Sequence, residues 1–426
     1  MLKRKFLSAL ILFALVFGAC FVSGCAEEEV SGPRTSSLLA YVCADGLYVC
    51  GGDGGESVLL ASGSHIYSPH ISPDGKYVYF NNSNDIFVVP SEGGTPTLAA
   101  ATAKFAGFWG ERVLTYSASE GVKAYDPETG VSETLFAVSG TEFISSAVFS
   151  ADEKKFAACV ETVDVGIERP KGVYIRYTDL ADMDVLSSER ICGKSDWLTE
   201  PLCWSGDGGA LIFSCGKAGE ERTQLFIVPI VDGASSVMGG SSMQYARGSG
   251  IALSADGKKG AVITYKNSDE TFETVCTIDL NTGRCKYIPS GTWGVSGAAL
   301  SSDGSLVAYT TKGVTSGLFV YANDTTLCVE GGNGMQEYTA PKFSLGGTNI
   351  IFVGVGERLR AETNSSGEAV GTYSETVASV YSAVANSAGS KMLAEGLKFP
   401  DGVYTEAWAD MYDYYEYVPA ETSAEE

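Results

Sequence analysis

The sequence predicts an all-β protein, a single β-propeller of four-stranded antiparallel blades. Three observations support this prediction. A short-strand motif recurs with a period of roughly 40 to 50 residues, which is typical of propeller blades. Four of the eight copies carry an Asp-Gly turn in the same place, and the 51 glycines and 22 tyrosines suit turn-rich β structure. No long stretch of helical periodicity competes with this pattern.

Each copy of the motif consists of an apolar strand, a tight turn and a second apolar strand. The clearest copy is Ser68–Phe80, with Ser72-Pro73-Asp74-Gly75 at its turn. The unusually long gap after this copy contains Phe105–Tyr116, an eighth copy with a shortened turn at Gly110-Glu111. A second hairpin with Asp, Asn or Gly in its turn follows most copies. The remaining copies are 147–158, 202–213, 251–262, 298–308, 342–352 and 383–393.

The number of blades depends on how the ring closes. Residues 38–50 and 56–61 match the last three strands of a repeat and lack the first. If residues 380–386 supply that missing strand, the propeller has eight blades, and the residues from Lys391 onward are surplus. Eight is the prediction. The count becomes nine if those residues form their own blade, and seven if the Phe105 copy merges with a neighbour.

The tetrapeptide Ser72-Pro73-Asp74-Gly75 after an apolar strand resembles the TolB-like, or PD40, version of the WD40-type propeller repeat. The resemblance extends over residues 66–390, although the other copies keep only the serine and usually Asp-Gly. In the TolB family the propeller is a docking platform for proteins of the cell envelope, which implies a binding role here. It also implies a structural role, capping the first turn of a blade, for five aspartates: Asp74, Asp152, Asp207, Asp256 and Asp303.

The N-terminus has the pattern of a secretory signal. Lys3–Lys5 is basic, and the apolar run Phe6–Val22 follows it. Val22-Ser23-Gly24-Cys25 resembles the lipobox of bacterial lipoproteins, which implies a cleaved signal peptide at 1–24 and palmitate-type acylation of Cys25. The alternative, an uncleaved transmembrane anchor, is disfavoured because Ser23-Gly24 interrupts the apolar run.

Composition sets the remaining boundaries. We expect a flexible tether at 25–37, the propeller at 38–418 and a disordered acidic tail at 419–426. The protein is expected on the extracytoplasmic side of the cell membrane, lipid-anchored through Cys25. The net charge of −23 argues against nucleic acid as a partner and against attraction to anionic lipid headgroups.

The cysteines predict few disulfides. Of the 11 cysteines, those beyond the signal and Cys25 are odd in number and scattered, so we expect at most two disulfides and several buried thiols. Cys276 and Cys285, which flank one hairpin, are the best candidate pair. No zinc spacing is present, and we predict no cofactor and no metal.

The residue inventory argues against catalysis. The chain has only two histidines, His65 and His70, and it has no Gly-x-Ser-x-Gly elbow, P-loop or His-Glu-x-x-His motif. The alternative is a carboxylate-dependent hydrolase or lyase that acts on a glycan, which needs only two positioned carboxylates. Convergent carboxylates in the channel would favour the enzyme, and a broad aromatic rim would favour binding.

An aromatic residue precedes most innermost strands. These connections all lie on one face of a propeller, so their rings either form a binding mouth or wedge between blades, and we favour the wedges. The function predicted is a membrane-tethered, non-catalytic scaffold that binds an envelope or extracellular protein or glycan. The candidate partner-binding residues are Tyr67, Trp197, Tyr245, Trp293 and Tyr338.

Overall fold

The computed structural model describes residues 37–416 except 139, 141, 151–154, 165–166, 180–184, 193–196, 218–219, 221, 230–242, 247–248, 266–272, 290–293, 314–315, 332–334, 364–368 and 398–407. The predicted signal peptide, Cys25, nearly all of the tether and the acidic tail therefore lie outside the described residues. Within them the regular structure is β-strand, apart from one 3-10 turn.

The described part of the chain begins with three strands that form an antiparallel meander, β1 Leu38–Cys43, β2 Gly46–Gly51 and β3 Val58–Ser62. The strands that follow form six four-stranded antiparallel sheets, each with its strands in chain order. These sheets are β4 Ile66–Ile71, β5 Tyr77–Asn82, β6 Asp85–Pro90, β7 Thr97–Ala100; β8 Lys104–Trp109, β9 Arg112–Ser117, β10 Gly121–Tyr125, β11 Ser132–Phe136; β12 Glu142–Phe149, β13 Lys155–Asp164, β14 Ile167–Asp179, β15 Val185–Cys192; β16 Trp197–Trp204, β17 Ala210–Lys217, β18 Arg222–Pro229, β19 Met243–Ala246; β20 Ile251–Leu253, β21 Lys259–Thr264, β22 Thr274–Asp279, β23 Cys285–Ile288; and β24 Val295–Leu300, β25 Val307–Thr311, β26 Gly317–Ala322, β27 Thr325–Gly331.

The last strands join the first three in one eight-stranded sheet. They are β28 Met335–Phe343, β29 Asn349–Thr363, β30 Ala369–Val384, β31 Ser390–Leu397 and, after the 3-10 turn Trp408–Met411, β32 Tyr412–Tyr415. Among the residues that the structure describes, only the pair Cys43–Leu397 connects β31 to β1, so this sheet divides there into two groups of four. Counted by strands, the described residues form eight groups of four; counted by sheets, seven. We call each group of four a blade and name it by its strands.

The strand that completes the first blade differs from the prediction. β32 pairs antiparallel with β1, from Leu38 opposite Tyr415 to Tyr41 opposite Tyr412. Residues 380–384 instead belong to the long strand β30, which pairs with β29 and β31. The degenerate turn near Ala388 is therefore the third turn of its blade, and the residues after it are not surplus, because they supply β31 and the closing strand.

The turn aspartates cap the first hairpin of their blades, as predicted. At the clearest copy, Ser72 Oγ donates to Asp74 Oδ1 over 2.6 Å, and the same oxygen accepts the Lys76 amide over 3.0 Å. Gly75 completes the turn with φ of 72°, and a Cβ there would lie 2.8 Å from the ring of Tyr415 in the closing strand. Asp207, Asp256 and Asp303 repeat this Ser–Asp contact. Asp152 lies outside the described residues.

The apolar core lies between neighbouring blades. Its largest cluster joins the blade formed by β32 and β1–β3, which we call the closing blade, to the blades on either side. This cluster includes Leu39, Val78 and Val353. Contacts between neighbouring blades run mainly through their first strands, for example β12 with β16, β24 with β28, and β32 with β4. The first strands are therefore innermost and border the central channel of the propeller.

The predicted disulfide between Cys276 and Cys285 is not formed. Neither cysteine is in a disulfide, and the same holds for six other cysteines in the described part of the chain. Cys276 lies opposite Tyr287 and Cys285 lies opposite Ile278, so the two cysteines are diagonal neighbours on one sheet face. Diagonal Cα atoms are about 7–8 Å apart, beyond the reach of an unstrained disulfide.

Candidate binding site on the innermost strands

Irregular backbone on the innermost strands shapes the channel. The pairing of β4 with β5 shifts register between Tyr67 and His70, and that of β28 with β29 shifts between Thr339 and Lys342. Ser68 and Ala340, inside these two bulges, have positive φ of 53° and 50°. A bulge leaves a residue outside the ladder and re-aims the side chains beside it. Polar groups of β4 and β28 thereby reach positions that regular pleating would not give them.

Four partly exposed aromatic side chains from β4 and β8 form what we call the channel wall: Tyr67, His70, Phe105 and Phe108. His70 stacks on Phe105 with ring centroids 3.7 Å apart and planes 8° apart. Phe105 meets Phe108 edge to face at 5.2 Å. Phe105 and Phe108 pack against the apolar cluster between their two blades and keep part of their surface exposed. The wall can offer stacking area to a sugar or to a planar or apolar side chain.

Polar groups of three elements meet beside the wall. Lys342 of β28 donates to the carbonyl of Tyr412 over 3.1 Å, and its ammonium lies 3.6 Å from Asp413 Oδ1. Asp413 Oδ2 accepts the amide of Ile71 from β4 over 2.8 Å. The hydroxyl of Tyr412 donates to the carbonyl of Ala340 in the β28 bulge. These contacts fasten the closing strand to both of its neighbours, and they place one cation and one carboxylate at the channel.

His70 is neutral at ordinary pH. Burial among protein atoms is the main reason that its pKa falls from 6.5 to about 4; Lys342 lowers it further, whereas Asp413 and Asp410 oppose the shift. The ring shares a hydrogen bond of 3.2 Å between Nε2 and Ser68 Oγ. Asp413 accepts the Ile71 amide and pairs with Lys342, so these contacts do not form a catalytic Ser-His-Asp relay. A neutral imidazole beside a hydroxyl suits hydrogen bonding to a ligand.

The aromatic residues predicted from the sequence occupy different environments. Tyr67 is partly exposed and donates its hydroxyl to the carbonyl of Ser83 over 2.8 Å. Tyr245 and Tyr338 are 0% and 1% exposed and pack in the clusters between blades. The assignment of these two rings to a partner surface is therefore corrected: they are inter-blade wedges, since no part of either ring reaches solvent.

Three predicted site residues lie wholly or partly outside the described part of the chain. Trp197 begins β16, but its side chain lies outside the description, and Trp293 lies outside the described residues altogether, as does Cys25. Phe105 and Phe108 were not predicted as site residues. Their segment was recognised only as a repeat copy, and the structure shows that every residue of β8 from Phe105 to Trp109 is partly exposed.

No group of three or more His, Cys, Asp or Glu side chains in the described ranges is arranged to hold a metal ion. No helix among the residues that the structure describes is long and apolar enough to cross a membrane.

Fold and site together define a β-propeller protein, and solved structures agree. A putative dipeptidyl aminopeptidase IV from Bacteroides ovatus is 12% identical, with a TM-score of 0.53 over 87% of this chain and 60% of that chain. Porphyromonas gingivalis dipeptidyl peptidase 4 is 13% identical, with a TM-score of 0.53 over 87% of this chain and 59% of that chain. TolB from Acinetobacter baumannii is 22% identical over 70% of this chain and 65% of that chain, with a TM-score of 0.33.

The two peptidase similarities confirm the predicted propeller fold of four-stranded antiparallel blades. At such low identity they show the fold alone, because one fold serves many functions. The chain spans about three fifths of the two peptidases. No family model and no curated protein matches the sequence.

Proposed function

We propose that the chain is a non-catalytic binding propeller that a lipid on Cys25 tethers to the extracytoplasmic side of the cell membrane. Its partner, an envelope or extracellular protein or glycan, binds at the channel wall. The observation that carries the proposal is the continuous stack of partly exposed rings on two adjacent innermost strands, from His70 through Phe105 to Phe108.

The chemistry of the wall supports binding. Rigid aromatic rings supply large contact area at little cost in conformational entropy. Ser68 and neutral His70 add hydrogen-bonding groups, and Lys342 and Asp413 add one charge of each sign. The net charge of −23 repels polyanions at long range, so the partner is expected to be neutral or cationic.

Site-specific photo-crosslinking in intact cells tests this proposal. p-Benzoylphenylalanine replaces Lys104, an exposed residue next to Phe105 on β8. The matched control places the same group at Lys258, an exposed turn residue of blade β20–β23. We expect a discrete adduct from position 104 that Phe105→Leu weakens, and none from position 258. Equal adducts from both positions, or an adduct from position 258 alone, would refute binding at the wall.

One cluster favours the enzymatic alternative. Lys312 Nζ lies 3.4 Å from Glu273 Oε1, and Lys312 pairs through its backbone with Glu337 on the innermost strand β28. Burial raises the pKa of the half-buried Glu337, and Lys312 opposes that rise. A carboxyl group with a raised pKa near a second carboxylate is the pairing that glycoside hydrolysis uses.

The alternative has its own test. Purified protein is incubated with cell-wall and extracellular polysaccharides, and new reducing or unsaturated ends are measured. If the protein is an enzyme, the wild type should release such ends and Glu337→Gln should abolish their release. Glu362→Gln, on the exposed part of β29, should leave the release unchanged. Absence of release from every polysaccharide refutes the enzymatic alternative and leaves the binding proposal as stated.

A further inference from the structure

Three sulfur atoms converge where blade β16–β19 meets blade β20–β23. Cys285 Sγ lies 3.7 Å from Sδ of Met243, which belongs to the neighbouring blade. Cys285 also shares a side-chain hydrogen bond with Cys276. Cys276 is fully buried, Met243 is partly buried and Cys285 is exposed. The cluster thus has two sulfurs inside the protein and one at the surface.

We propose that Met243, Cys276 and Cys285 form a binding site for one monovalent copper ion, Cu(I). Thiolate and thioether sulfurs are soft ligands, and soft ligands select Cu(I) over the harder divalent ions. Three sulfurs placed at about 2.3 Å around a metal in a trigonal plane lie about 4 Å apart. The observed separation of 3.7 Å between Cys285 and Met243 is close to that spacing.

The sheet register explains why these thiols suit a metal better than a disulfide. Cys276 and Cys285 are diagonal neighbours on one face of the β22–β23 hairpin. Their backbones are too far apart for a direct sulfur–sulfur bond, whereas a metal ion between the sulfurs spans the additional distance. Binding replaces two S–H protons with the metal, so two thiolates and a neutral thioether hold Cu(I), and both protons pass to solvent.

Access and charge are also favourable. Cys285 lies on β23, the outermost strand of its blade, and is exposed, so an ion can approach from solvent. The net charge of −23 concentrates cations near the surface. The thioether from a second blade means that the bound ion would bridge two blades and stabilise their interface.

The test uses the chain with Cys25→Ser, fully reduced and anaerobic, and titrates it with Cu(I) against a chromophoric Cu(I) chelator. The wild-type site should take up one equivalent with a thiolate-to-copper absorption in the ultraviolet. Cys285→Ser should weaken binding by more than about 100-fold, because it removes a ligand and not merely an outer-shell contact. Met243→Leu should weaken it less, while Cys328→Ser, which removes another exposed cysteine on β27, should change nothing.

Three results would overturn the site. Binding that survives Cys285→Ser places the copper elsewhere. Zn(II) binding of equal strength, lost in the same variants, removes the preference for a soft ion. The third result comes from protein isolated from its native compartment without reductant. A disulfide between Cys276 and Cys285, detected by mass spectrometry, would show that the thiols are not available as ligands.

Discussion

The pH dependence of stability gives the sharpest test of the channel geometry, because only two histidines are present and they lie in different settings. The pKa of His70 is about 4 in the folded chain, against 6.5 when unfolded. Between these values the unfolded chain binds the proton more strongly, so acid favours unfolding. The contribution of His70 to stability is complete above pH 6.5 and declines as the pH falls toward 4.

The linkage relation gives the size of the effect. Lowering the pH from 7.5 to 5 should remove about 2 kcal/mol of the free energy of unfolding through His70 alone. His70→Gln removes the titrating ring, so the variant should lose about 2 kcal/mol less of its free energy of unfolding than the wild type between pH 7.5 and 5. This difference does not depend on the stability of the variant at pH 7.5. His65→Gln, at the exposed second histidine, is the matched control for the loss of one histidine. Asp410, Asp413 and Lys342, the charged groups that act on His70, are present in all three proteins.

Urea unfolding followed by intrinsic fluorescence at pH 7.5, 6.5, 5.5 and 5.0 measures these differences. A His70→Gln variant that loses as much stability between pH 7.5 and 5 as the wild type would show that His70 is not held neutral in the channel. The stacking on Phe105 and the hydrogen bond to Ser68 would then be wrong as described.

Three further predictions concern closure, anchoring and redox state. Tyr412→Ala, which empties a fully buried position in the closing strand, should cost about 3–5 kcal/mol of stability. Tyr373→Ala, at a site that is 50% exposed, should cost less than about 0.5 kcal/mol. Equal losses of stability in the two variants would contradict the assignment of β32 as the closing strand. Cells grown with labelled palmitate should label the wild type but not Cys25→Ser, and label that persists would exclude acylation at Cys25. Thiol counting under denaturing, non-reducing conditions should find at most two disulfides, and near-complete oxidation would contradict that expectation.

The repeat was readable from the sequence because its signal is local. Ser72, Asp74 and Gly75 satisfy one another and the adjacent amides within a single turn, so the same few residue types recur wherever that turn recurs. The first three strands of the chain were likewise recognised as a repeat without its first strand, and β1, β2 and β3 form that meander.

The closing strand was not readable because its pairing is remote and carries no turn signature. β32 has only four residues, and its partner β1 lies at the opposite end of the described chain. Residues 383–393 imitate a repeat because Ala385–Gly389 forms a turn between two strands, as the first turn of a blade does. Only the pairing of β30 with β29 and β31 shows that this turn is the third of its blade.

The site was predicted only in outline because bulges decide which rings face solvent. A one-residue shift in register moves a side chain to the other face of a strand. Tyr67 lies directly before such a shift on β4 and stays partly exposed, whereas Tyr338 lies one residue further from the shift on β28 and is buried. Neighbouring residues of a strand face opposite sides of the sheet, so the aromatic residues of the innermost strands do not share one environment.

Hydrogen–deuterium exchange of the chain with and without its captured partner tests the central claim most directly. The innermost strand of each blade is a sheet edge, so some of its amides have no ladder partner and exchange at measurable rates. Partner binding at the channel wall should slow exchange in Ile66–Ile71 and Lys104–Trp109 and leave the outer strand Cys285–Ile288 unchanged. Protection confined to the outer strands, with no change in β4 or β8, would contradict binding at the channel wall.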